Sequence, residues 1–136
     1  MANFKLDVDT ALFTALNTQT VLDAVKGGVH NTIAPEEAEF PYIVFQMLSK
    51  EEERHFALRG GNALYVVKCV SDKRWPKEAM DGDTQIDTAL EDATLTIANH
   101  NQLLCRRERD VSFFEARDGE VYNHAGGMYR VIADES

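Results

Sequence analysis

A chain of 136 residues suits one domain, 1–136, able to bury roughly 70% of its unfolded surface. Its 44% hydrophobic and 27% charged content fit a soluble globular protein, no apolar run approaches a bilayer span, and the N-terminus lacks a basic secretory n-region. The net charge of −9 argues against a duplex-gripping face, which needs clustered basic residues.

Asp7 to Leu16 reads as a helix, with Val8, Leu12, Ala15 and Leu16 on one face and Asp7 or Asp9 at its positive end. Asn17 ends it. Thr18 or Thr20 caps a short second helix holding Val21, Leu22 and Val25, and Gly27-Gly28 stops that helix. Val29 to Thr32 is a short strand, and Ala34 to Glu39 an acidic loop.

Pro41 opens a strand whose residues from Tyr42 to Leu48 are apolar on both faces, the pattern of a central strand covered on both sides. The strand continues through Ser49 to Arg54 into polar ground. Arg59-Gly60-Gly61-Asn62 reads as a turn cluster, and Ala63 to Val70 as the return strand of a long hairpin.

Trp75 is placed to staple the next helix and Pro76 to occupy its first turn. Ala79, Gly82 or Asp83, Ile86, Leu90 and Ala93 trace its apolar face. Gln102 to Arg109 is a strand running on through Phe114, followed by the turn dipeptide Asp118-Gly119. Val121 to Tyr122 and Met128 to Ala133 complete a second hairpin, with a bulge or bend at Gly126-Gly127. The expected class is α+β: a mostly antiparallel sheet of four to five strands, helices packed on one face, and a long projecting β-hairpin.

Chemistry-bearing patterns are absent. His30, His55, His100 and His124 share no metal-ligand spacing, and Asp81-Gly82-Asp83 with Asp87 lacks the calcium-hand pattern and reads as a solvated helix face. Cys69 and Cys105 read as buried free thiols. No nucleophile elbow, phosphate loop or dinucleotide fingerprint occurs, so neither a catalytic residue nor a cofactor is expected.

With no reaction in view, the charged hairpin end suggests assembly. Glu51, Glu52, Glu53, Arg54 and Arg59 are candidate contacts with a neighbouring copy, and Arg107 and Arg109, on one face of their strand, candidate charge partners.

The chain also resembles the tail terminator (tail completion, tail-to-head joining) proteins of long-tailed bacteriophages, from about Thr10 to Asp134. The resemblance is carried by Ala11-Leu12-Phe13-Thr14-Ala15-Leu16, then Val21-Leu22-Asp23-Ala24-Val25, and by Phe40-Pro41-Tyr42-Ile43-Val44 after an acidic loop. Leu64 to Val70, the helix from Ala79 to Leu90, Leu95-Thr96-Ile97 and the ending, Arg117-Asp118-Gly119 then Met128 to Ala133, complete it. It implies a homo-hexameric ring on the tail tube that stops polymerisation of the tube protein and docks on the head's connector or stopper protein. It also implies a virion location after assembly in the host cytoplasm, no membrane, and DNA passing through without specific binding. Rival readings are another neck or head-completion protein, a small α+β ligand-binding or hydrolytic enzyme, and a regulator that binds peptides at a sheet edge.

Overall fold

The computed structural model describes residues 3–55 and 58–136, with side chains outside 53–58. Helix α1 spans Phe4–Leu16 and α2 Gln19–Ala24. Strand β1 is Val29–Asn31, β2 Tyr42–His55 and β3 Leu58–Ser71. Helix α3 is Lys77–Leu90, and strands β4 and β5 are His100–Arg117 and Glu120–Glu135. The strands form one sheet in the order β1-β2-β3-β5-β4, antiparallel except for the β1–β2 pair. The architecture is α+β.

Local chemistry explains the ends. The Asn3 side chain accepts from the Leu6 amide at 3.0 Å, so α1 starts three residues before the expected Asp7, which lies in its first turn. Asn17 caps its C-terminus and Thr18 caps α2. Asp118 and Gly119 both take positive φ in the tight β4–β5 turn.

The core lies between the helices and one face of the sheet. Val8, Leu12 and Leu16 of α1 and Ala79, Ile86 and Leu90 of α3 are buried, as are Phe45, Tyr65, Val67, Tyr129 and Val131 of the strands. The apolar face expected of α3 is the buried one. Gly82 belongs to it because a β-carbon there would collide with Cys69 Sγ.

Several expectations are corrected. The central strand is β3. Strand β2 lies between β1 and β3 and is buried on both faces at Ile43, Val44 and Phe45, but that cover ends before Leu48, the extra residue at the Met47/Ser49 bulge, which is exposed. Residues Arg59 to Asn62 are not a turn but part of β3. Gly60 and Gly61 pair with Glu53 and Glu52 on one side and Asp134 and Ala133 on the other, so pairing on both flanks overrides their turn propensity. The β2–β3 pair is therefore flanked by β5 as far as Gly60 and is no free arm over that length; the expected tip, Phe56 and Ala57, lies outside the described residues.

Gly126-Gly127 marks no bulge either. Strand β5 runs unbroken in register with β3 there, and Gly126 serves close approach, since a β-carbon would meet Val67 O. Trp75 staples nothing, being 75% exposed, and Pro76 is the N-cap of α3, one residue before its first turn.

Candidate assembly surfaces

The charged end of β2–β3 holds Glu51, Glu52 and Arg59 in adjacent register, with Glu51 opposite Asn62 and Glu52 opposite Gly61. Arg59 donates from Nε to Glu52 Oε1 at 2.6 Å, both side chains being half-exposed. Such a pair contributes about 0–1 kcal/mol. The side chains of Glu53 and Arg54 lie outside those described; their backbones pair with Gly60 and Arg59.

The structure separates Arg107 from Arg109. In β4 the register passes from Arg107↔Tyr129 to Arg109↔Met128, leaving Glu108 as an extra residue. Tyr129 and Met128 are neighbours on opposite faces, so the bulge sends Arg107 to the helix face and Arg109 to the open one. The expectation that they share a face fails for that reason.

Arg107 is turned inward. Its side chain is 14% exposed and fully engaged within the chain. It donates to Asp83 at 2.8 and 3.0 Å, to Gly126 O at 2.7 Å, to Tyr129 Oη at 3.2 Å and to Asp110 at 2.9 Å, with Asp87 at 3.5 Å. Asp83's hydrogen bonds raise the guanidinium above its ordinary pKa, while burial raises the Tyr129 phenol. Asp83 and Asp87 thus hold α3 to the sheet rather than forming the solvated face expected of them; Asp81 keeps that role, paired only with exposed Lys77.

A second polar anchor is Asp9, buried on α1. It accepts from Tyr65 Oη at 2.5 Å, Lys5 Nζ at 2.6 Å and Asn31 Nδ2 at 3.0 Å, tying α1 to β3 and β1. Burial, then this hydrogen bond, raises the Tyr65 phenol.

The sheet face away from the helices presents Leu64, Arg106, Arg109, Met128 and Arg130 around a shallow depression. Arg130 Nε donates to Glu108 at 2.9 Å, which holds that carboxyl below its usual range; Arg106 and Arg109 add to the effect. Further along, His124 stacks on Phe113 with centroids 4.3 Å apart, and its Nε2 lies 2.8 Å from Glu115. Burial lowers His124 below its ordinary value, so the neutral ring prevails at neutral pH, and since a carboxylate only accepts, Nε2 is the nitrogen that donates to Glu115.

Burial pushes the Cys69 and Cys105 thiols up to about 12, too high for either to act as a thiolate nucleophile at neutral pH. Among the described residues no three of His, Cys, Asp and Glu gather as a metal site. No described helix is long and apolar enough to cross a membrane.

Exposed charge gathers at the β2–β3 end, on the open face of β4 and on the loop between β1 and β2. A family model described as tail completion protein gp17 matches residues 10–132. The chain belongs to the tail completion protein gp17 family. No curated protein matches it. Among solved structures, a chain of the virion of a native gene transfer agent particle shares the fold, with a TM-score of 0.80 at 12% identity, covering 98% of this chain and 99% of that one. As a tail completion protein, the chain is a structural protein of a phage virion. Of the residues bearing on its surfaces, the bulge that reorients Arg109 and exposes it beside Arg106 left no sequence signal. A charged residue inserted between two arginines looks the same in a regular strand.

Proposed function

We propose that this tail completion protein forms a homo-hexameric ring at the head-proximal end of a tail tube, where it stops polymerisation of the tube protein and joins the tail to the head connector or stopper. The family match over residues 10–132 carries the reading. It is supported by a chain whose polar networks, at Arg107 and Asp9, brace helices against the sheet. The charge of −9 suits a channel through which DNA passes without specific binding, since like charges repel over about a Debye length, ~8–10 Å. Assembly takes place in the host cytoplasm and ends in the neck of the virion. We assign the charged end of β2–β3, with Glu51, Glu52, Glu53, Arg54 and Arg59, to contact within this assembly, and Arg109 to the same role on β4.

The test is to add the purified chain to growing tubes of the cognate tube protein and measure tube length by electron microscopy. Capped tubes of arrested length support the reading. Tubes that lengthen as they do without the chain overturn it.

A further inference from the structure

If the chain forms a ring, its copies need a contact that propagates in one direction, and the charges of the sheet's two edges provide one. Strand β4 is the last strand of the sheet, and its outer side has no strand partner among the described residues. Arg106 and Arg109 are exposed along it and make no ion pair or hydrogen bond through their side chains among the described residues. At the opposite edge, the loop from Ala34 to Phe40 carries Glu36, Glu37 and Glu39 and no basic residue. These three are exposed and likewise unpaired among the described residues.

The acidic loop starts near the height of the arginines and returns to the start of β2, where Phe40 lies against Tyr42 and Tyr122. The row Arg109↔Met128↔Val66↔Gln46 ends on β2 one residue beyond the Asn31↔Phe45 pair, where the chain leaves β1 for the acidic loop. Since β1 and β4 occupy opposite ends of the sheet order, one copy cannot bring them together; two copies side by side can. Apolar side chains flank both groups: Phe114, 69% exposed, follows the arginines, and Ile33, 78% exposed, precedes the glutamates.

We infer that successive copies join head to tail, with Arg106 and Arg109 of one copy against Glu36, Glu37 and Glu39 of the next. The inference rests on the ring reading and specifies its contact. A two-fold contact through either edge would set arginine against arginine or glutamate against glutamate, which like-charge repulsion disfavours. The head-to-tail contact is the attractive one, and with a closing rotation it generates a ring. The β2–β3 end is a poorer partner for the arginines. Lys50, Arg54 and Arg59 there offset Glu51, Glu52 and Glu53, and Glu52 is already held by Arg59.

The experiment compares four chains by native mass spectrometry, alone and with isolated tube ends: wild type, R106E/R109E, E36K/E37K/E39K, and the chain carrying all five changes. Every altered residue is exposed, so thermal midpoints stay close to wild type. Each partial reversal is expected to weaken assembly about tenfold or more. The five-fold variant restores it, because its edges are complementary again. An equal mixture of the two partial variants also assembles, by alternating around the ring. Partial variants that assemble like wild type overturn the inference and leave the ring reading standing. So does a five-fold variant that stays dissociated, or a reversal that weakens binding to tube ends but not ring formation. A wild-type chain that never oligomerises in either condition overturns the ring reading and this contact with it.

Discussion

Arg107 of β4 and Asp83 of α3 meet through two parallel hydrogen bonds, Nη1 to Oδ1 at 2.8 Å and Nη2 to Oδ2 at 3.0 Å. This fork joins the longest helix to the strand beside its neighbour in the sheet, and the same guanidinium satisfies Gly126 O and Tyr129 Oη. Replacing Arg107 by alanine leaves a partly buried carboxylate and a carbonyl without their donor. The expected cost is about 2–4 kcal/mol, below the top of the range for buried pairs because Asp83 and Asp87 keep some solvent. Arg107→Lys recovers little of it, since an ammonium cannot make both bonds of the fork. Urea unfolding midpoints check both, and an Arg107→Ala chain as stable as wild type would show the network to be dispensable.

Gly82 sets helix propensity against packing. Alanine is favoured over glycine inside a helix by about 1 kcal/mol. Here the added methyl would strike the side chain of Cys69, with Cβ to Cβ at 2.7 Å. We predict that Gly82→Ala destabilises, by about 1–3 kcal/mol net, and that combining it with Cys69→Ala recovers part of the loss. Calorimetry of the single and double variants decides; a higher midpoint for Gly82→Ala alone would mean that α3 stands further from β3 than described.

Stability should depend on pH through His124. Its folded value is lowered, first by burial and then by the positive charges of Lys68 and Arg117, against the opposing pull of Glu115. The unfolded chain, with histidine near 6.5, therefore binds the proton more readily than the folded one. Stability contributed by the neutral ring is complete well above that value, falls as pH drops through it, and levels off below the folded value. Glu115, whose carboxyl is held low by the His124 hydrogen bond, contributes stability that is complete at neutral pH and is lost only as pH falls below the ordinary carboxylate range, well under the histidine step. Urea midpoints measured downward from pH 8 should fall near 6.5, and His124→Gln should flatten that step. A step unchanged in the variant assigns it to another group.

Reversal of Glu51, Glu52 and Glu53 to lysine tests the charged end of β2–β3. The exposed Glu52–Arg59 pair contributes little to folding, so the thermal midpoint should hardly move. Assembly at tube ends, read by co-sedimentation with tubes, should weaken. Undiminished co-sedimentation would remove this surface from the assembly.

The amino-acid sequence by itself determined the elements and their kind. The three- and four-residue spacing of Ala79, Gly82, Ile86 and Leu90, the caps at Asn17 and Thr18 and the Asp118-Gly119 turn are local signals, each readable within a few residues. The family resemblance was legible for the same reason, because it is carried by the order and spacing of those segments. The tertiary structure alone decided which partners the polar residues take and which face they point to. A single inserted residue, Glu108, turns Arg109 to the open face, and pairing with β5 makes strand residues of Gly60 and Gly61. Asp83 and Asp87 become a clamp only because the fold brings Arg107 of β4, twenty or more residues onward, within their reach. Side-chain direction in a strand depends on cumulative register, and charge pairing on distance in space. Neither is encoded in the periodicity of a short window.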